Sequence, residues 1–349
     1  MSWYDALPTS RASPTGHWAG ESFREELRGW VEQQLGPLRS FENHKLRPWA
    51  TVWRADCATG VFYAKQNCEL QSFEAALLEQ LAGWAPDHVV PVVAVDLARG
   101  FLLTPDQGPV LGESASRADL GTWERVLVAA AELQRAVAGR ADAMTELGLT
   151  RLATGRAAPY VAARVDQVAG LADARRLSPS QAAAVRQRLP EVARWSEQVA
   201  ALGLPETLQH GDLHQHNVFD TAAGLRFFDF GDAVVANPLG VLTVPFNILT
   251  DALEARPDDP RLRRVADAYL EVWSDLAPLA DLRHALPAAV CLGRLSRIES
   301  WVRVSASFSP AELAQWGSTV PDWLLELLEP ASVRFDPGAV AQPVRAEDS

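Results

Sequence analysis

Lysine is nearly missing from this chain of 349 residues. Lys45 and Lys65 are the lysines among 32 basic residues, and arginine supplies the others. A lysine kept in such a background marks a place where a compact ammonium serves better than a planar guanidinium. Cysteine is sparse as well. Cys57, Cys68 and Cys291 form no close pair, so neither a disulfide framework nor a zinc knuckle is expected, and a reducing cytoplasm fits. Positive charge is in deficit: the net charge is −12. That excludes a basic nucleic-acid footprint and suits a cationic small molecule by long-range attraction. No apolar run is long enough to span a bilayer, so no membrane role is expected. The start of the chain lacks a basic region followed by an apolar stretch and does not read as a signal peptide. A Gly-x-Gly-x-x-Gly phosphate loop is absent, and the connection Asn43–Trp49 carries no glycine at all.

What is present is a chain 48% hydrophobic, long enough for two lobes. Residues 1–20, rich in Ser, Pro and Gly, read as a flexible leader. Phe23, Leu27, Val31 and Leu35 recur at helical spacing, and Gly36-Pro37 stops that helix. Residues 38–104 are strand-like. Ala50–Arg54 and Val61–Lys65 flank a turn and predict a hairpin, with further strands at Val89–Val95 and Gly100–Thr104. Pro91 makes the former an edge or irregular strand. Between them Phe73, Ala76, Leu77 and Leu81 mark one helical face. Thr104–Pro109 is a cluster of breakers. From residue 115 onward the pattern is helical.

The informative stretch runs from Gln209 to Asp232. Val218–Phe219 and Leu225–Phe230 flank Ala222-Ala223-Gly224, which reads as a hairpin with a type I turn and Gly224 in the left-handed position. That register pairs Thr221 with Leu225 and Asn217 with Asp229. Directly opposed residues share a face, so an amide oxygen and a carboxylate would meet in a hard-oxygen site suited to Mg²⁺. Asp229 lies between Phe228 and Phe230, where a carboxylate is costly unless paired or bound to a metal. Taken singly, Asp212 could cap a turn and Asn217 could open a strand. A transition-metal cluster of His210, Asp212, His214 and His216 is the competing reading. It leaves Asn217 and Asp229 without roles, so His210 and His214 are read as struts and His216 as exposed.

The order Asp212, Asn217, Asp229-Phe230-Gly231 follows the base and the two metal ligands of protein kinases, with Gly211 where their loop carries Arg. His-Gly-Asp-Leu-His-x-x-Asn followed by Phe-Asp-Phe-Gly-Asp resembles the aminoglycoside phosphotransferase family, relatives of choline kinase. The resemblance implies an α+β, protein-kinase-like fold with a small antiparallel-sheet N-lobe and a larger, mostly helical C-lobe. It places a nucleotide-binding lobe at 21–104, a hinge at 105–110, a helical lobe with the catalytic hairpin at 111–330 and a tail at 331–349. It implies that Asp212 serves the acceptor hydroxyl as catalytic base, that Asn217 and Asp229 hold Mg²⁺, and that Lys65 neutralises nucleotide phosphates. Glu74, rather than Glu79, is implied as the partner of Lys65. The hinge carbonyl of Thr104 and amide of Asp106 are implied as adenine contacts, and Asp232 as a brace of the catalytic turn. The expected activity is transfer of the γ-phosphoryl group of ATP, or GTP, to a hydroxyl of an aminoglycoside-, sugar- or amino-alcohol-like acceptor. A silent nucleotide-binding module is the alternative. Any one acid among Asp251, Glu254, Glu271, Asp275 and Glu299 is read as a surface charge.

Overall fold

A computed structural model describes residues 6–8 and 12–335 of the chain. The rest of the expected leader and tail, residues 1–5, 9–11 and 336–349, lies outside the described residues. Residues 12–20 depart from a loose leader. Thr15–Trp18 is a helical turn (α1), Trp18 is 1% exposed, and its indole donates to Gln66 at 2.5 Å. Burial of the large indole, with its N–H satisfied, favours order here. Residues 331–335 are likewise packed, with Val333 fully buried.

Helix α2 (Glu21–Leu35) ends at Gly36, whose φ of 80° suits glycine. Five antiparallel strands follow: β1 (Leu38–Arg47), β2 (Ala50–Cys57), β3 (Gly60–Asn67), β4 (Ala94–Asp96) and β5 (Phe101–Pro105). Their order across the sheet is β1-β2-β3-β5-β4. The strand alternation separates two faces. Trp53, Ala64 and Leu103 are in register and pack against Phe23, Leu27 and Trp30. The next register line, Lys45, Val52, Lys65 and Leu102, faces the opposite way. Helix α3 (Phe73–Trp84) lies between β3 and β4 in the chain.

The expected strand Val89–Val95 is shorter than its apolar run. Pro91 supplies no N–H, and sheet pairing covers only Ala94–Asp96 on the edge. The preceding residues pair elsewhere: Val90 N–H donates to the Phe227 carbonyl at 3.2 Å, and Phe227 N–H to that of His88 at 2.8 Å. They tie the sheet lobe to the hairpin of the second lobe.

That second lobe is helical around the 27-residue helix Leu279–Ser305, buried along most of its length. It carries two small strand pairs. β6 (Thr207–Gln209) pairs with β9 (Val234–Ala236), and β7 (Val218–Thr221) with β8 (Gly224–Phe227). Residues 233–243 are buried throughout. The short apolar segment after Asp229 is therefore part of the core rather than a protein-docking loop. Among the described residues no helix is long and apolar enough to cross a membrane.

Candidate active site

Strand β6 delivers the chain to a tight turn at His210–Asp212. Gly211 has a φ of 80°, and a Cβ there would collide with the Asp232 carbonyl. Only glycine meets both demands, which accounts for Gly where the protein-kinase loop carries Arg. The His210 ring is buried and its Nε2 lies 2.8 Å from the Phe228 carbonyl, so it is a strut between turn and hairpin. Burial lowers its pKa and keeps it neutral. His216 is exposed. Among the described residues no three His, Cys, Asp or Glu side chains are grouped to hold a metal ion.

Asp212 is held by a residue that sequence reasoning missed. Arg297, buried on the long helix, places Nη1 3.1 Å from Asp212 Oδ1, 2.7 Å from Asp232 Oδ2 and 3.1 Å from the Gly211 carbonyl. Asp232 also accepts from Gln71 Nε2 at 2.7 Å and from the Ser300 hydroxyl. Arg297 and Asp232 thus fix the turn from behind. On its other side, Asp212 Oδ2 is 3.4 Å from His214 Nε2. Burial pushes the Asp212 carboxyl up, but the Arg297 charge and then His214 outweigh it and hold it well below the usual carboxylate range. Arg297 left no distinguishing signal in the sequence, because the same helix also carries Asp281, Arg283, Arg294, Glu299 and Arg303. Glu299, two residues on, is a correction: it is 3% exposed and buried, not a surface charge. Asp251, Glu254, Glu271 and Asp275 are exposed.

The hairpin differs from its expected register by one residue. Gly224 takes a positive φ of 113°, but it pairs with Thr221 itself, and Leu225 opposes Asp220. Asn217 therefore stands opposite Phe228, whose N–H reaches the Asn217 carbonyl at 3.3 Å, and not opposite Asp229. Strict alternation would then send the two side chains to opposite faces. They nevertheless line one cavity, because Asp229 leaves the strand in a left-handed conformation (φ 63°, ψ 59°). Asp is among the few side chains that tolerate it. The Asn217 amide nitrogen donates to the Asp212 carbonyl at 2.9 Å, which leaves its oxygen as the group for a cation.

Across the cavity, Lys65 Nζ lies 2.6 Å from Glu74 and 2.5 Å from Asp229. Glu74 is buried, accepts from Asn67 Nδ2 and takes the Phe230 N–H at 3.0 Å. It therefore fixes both the lysine and the chain beside Asp229. Glu79 is exposed. Burial disfavours the Lys65 ammonium, yet Asp229 and Glu74 overcome it and raise its pKa. Burial likewise raises Asp229, and Lys65 more than reverses it. An amide oxygen and a carboxylate oxygen with a second oxygen not bound to Lys65 form a hard donor pair that fits Mg²⁺.

The cavity measures about 480 Å³ and is lined by Lys65, Asp212, Asn217 and Asp229, with Thr104 and Asp106 at the hinge end. The expected hinge contacts need correction. Asp106 N–H donates to the Val61 carbonyl at 2.9 Å. Thr104, two residues earlier and paired with Tyr63, has the same orientation in the antiparallel ladder. Both sets of polar groups belong to the sheet, and the Pro105 carbonyl is the one turned away from β3.

An antiparallel-sheet lobe with a braced lysine, set over a helical lobe that carries the Asp212 turn and the hairpin, is the protein-kinase-like fold of small-molecule phosphotransferases. The family model for the phosphotransferase enzyme family matches residues 63–282, and the chain belongs to that family. The GDP complex of an aminoglycoside 2′-phosphotransferase is 13% identical, with a TM-score of 0.57 over 87% of this chain and 97% of that one. An ethanolamine kinase of Plasmodium vivax is 11% identical, with a TM-score of 0.56 over 84% of this chain and 85% of that one. A thermostable aminoglycoside phosphotransferase, in ternary complex with AMP-PNP and hygromycin B, is 14% identical, with a TM-score of 0.52 over 86% and 98%. At these identities the likeness is one of fold. No curated protein sequence matches the chain.

Proposed function

We propose that the chain transfers the γ-phosphoryl group of ATP to a hydroxyl of a small acceptor. One observation carries this reading: a single cavity gathers Lys65, Asp212, Asn217 and Asp229. Asp212 faces the cavity as a fixed anion and orients the acceptor hydroxyl, whose proton it receives as the phosphoryl group arrives. Because Arg297 keeps it a weak base, alignment is its larger contribution, in keeping with a loose transition state. Lys65, set by Glu74, neutralises phosphate charge on the nucleotide. Asn217 and Asp229 are the residues to hold Mg²⁺. The ion, when bound, withdraws charge from the phosphate oxygens. The Pro105 carbonyl is the hinge group turned toward the base. ATP is the donor of choice, since one neighbour holds AMP-PNP, while another holds GDP, so GTP is the comparison nucleotide. The net charge of −12 and the exposed acids Asp106 and Glu113 on the cavity wall favour a cationic acceptor. A soluble protein in a reducing cytoplasm fits the three separate free cysteines.

The test is γ-labelled ATP with a panel of amino alcohols, amino sugars and aminoglycosides, run on the native chain and on Asp229→Ala. Transfer should be abolished in the variant, and its nucleotide affinity should fall only when magnesium is present. An equal loss without magnesium would show a damaged fold. Full activity in Asp229→Ala would overturn the reading.

A further inference from the structure

The same register line that carries Lys65 carries the chain's other lysine. Lys45 opposes Val52 on β2, and Val52 opposes Lys65 on β3. Opposed residues share a sheet face, and Lys45, Val52 and Lys65 all line the cavity. With strands roughly 4.8 Å apart, the two lysine backbones stand about 10 Å from each other. They are the cavity's arginine-free pair of permanent cations: no arginine is among the described residues of its wall.

Their charges are differently engaged. Lys65 already faces two carboxylates, Glu74 and Asp229, at 2.6 and 2.5 Å. Among the described residues no carboxylate pairs with Lys45, which is exposed. It is near enough to bear electrostatically on Asp229. The turn above it cannot replace that charge with a cradle of backbone amides. The β1–β2 connection is only Pro48-Trp49. Pro48 has no N–H, and the Trp49 ring packs edge-on against Trp301 and Trp316 of the helical lobe, with centroids 5.6 and 5.5 Å apart.

We infer that Lys45 is a second phosphate-binding side chain, whose uncompensated positive charge takes the place of the backbone N–H donors that a glycine-rich loop offers. It rests on the proposed nucleotide site. It places Lys45 on the triphosphate and not on the base or ribose. The arginine background gives no reason for a lysine at either position, whereas a compact ammonium suits a single phosphate oxygen.

Calorimetric titration of the full chain with Mg-ATP and with adenosine tests it. Lys45→Met should bind Mg-ATP about tenfold more weakly, the scale of one charge-assisted hydrogen bond, with adenosine affinity unchanged. Lys45→Arg should recover part of the loss. Because Lys45 is exposed, the variants should fold, which a melting curve verifies. Equal Mg-ATP affinity in Lys45→Met, or an equal loss for adenosine, would overturn this inference while the nucleotide site stands. A native chain that binds no Mg-ATP would overturn the site itself, and this inference with it.

Discussion

Two buried arginine–carboxylate networks hang from the helix Leu279–Ser305, and they serve opposite ends. Arg297 grips Asp212, Asp232 and the Gly211 carbonyl. Glu299, more than half a helical turn away, accepts from Arg164 Nη2 at 2.9 Å, Tyr160 at 2.8 Å and Thr150 at 3.1 Å. Both combine the same residue types in a low-dielectric core. The difference is what each leaves open. The Glu299 side chain is 4% exposed and that of Arg164 1%, and the carboxylate has donors on both oxygens. Asp212 keeps 30% of its side chain exposed and faces a cavity. A closed network specifies packing, whereas one that stops short beside a cavity leaves an oriented charge for a ligand. Buried charge alone therefore does not mark a site.

The sharpest break in that comparison comes from Asp212→Asn. It keeps size and hydrogen bonding but removes the charge. Single-turnover phosphorylation should slow by roughly 10²–10⁴-fold in the folded fraction, the range of general acid–base contributions, with nucleotide affinity close to native and a modest fall in melting temperature from the lost pairing with Arg297. Lost stability with normal chemistry in the folded fraction would make Asp212 a turn residue only.

Arg297→Met comes next. It removes the counter-charge while Asp212 remains, so kcat should fall by roughly 10- to 100-fold, the scale of one hydrogen bond to a charged group, and Arg297→Lys should recover part of it. The pH dependence has a definite sign. Asp212 is depressed in the folded state, so its pairing contributes stability that is full above the ordinary value of about 4 and is lost as pH falls through the folded value. Native kcat should therefore show no acid limb from Asp212 at pH 5–8. With Arg297 gone, burial is opposed chiefly by the contact with His214, and an acid limb should move up toward that window. An unchanged profile in Arg297→Met would detach Arg297 from Asp212.

How much of this could be read beforehand follows from the range of each interaction. Asp212, Asn217 and Asp229 were legible because their spacing is set by a local turn and hairpin. Glu74 was separated from Glu79 by the family resemblance of the Ala/Leu stretch that follows it, and in the helix Glu74 is buried beside Lys65 while Glu79 is exposed. The hairpin register was misread by one residue because Gly224 was counted in the loop, whereas it pairs with Thr221, and nothing in Phe-Asp-Phe announces the left-handed φ of Asp229 that returns its side chain to the cavity. Arg297 and Glu299 escaped because their partners lie 65 or more positions away and depend on how helices pack: Arg297 reaches Asp232 across a separation of 65 and Gly211 across 86, and Glu299 reaches Arg164 across 135. The helix at Thr15–Trp18 escaped because its reason for order is a pocket formed by Gln66 and the sheet.

Glu299→Gln should have the smallest effect on chemistry, and it carries the comparison furthest. Glutamine retains an acceptor oxygen for Tyr160 or Thr150 but no charge, so the Arg164–Glu299 ion pair is broken inside the core. Breaking one side of a buried ion pair typically costs about 3–5 kcal/mol, and the melting temperature should drop by several degrees. Phosphorylation per folded molecule should remain native, because Glu299 touches none of the cavity groups. Replacing both partners, Arg164→Met with Glu299→Met, should recover much of the stability, since an apolar pair leaves no uncompensated charge. Chemical denaturation and single-turnover rates on the same preparations separate the two axes. If Glu299→Gln instead slows phosphoryl transfer as far as Arg297→Met while its melting point stays native, the two networks act as one through the shared helix, and closure against the cavity is not what divides packing from catalysis.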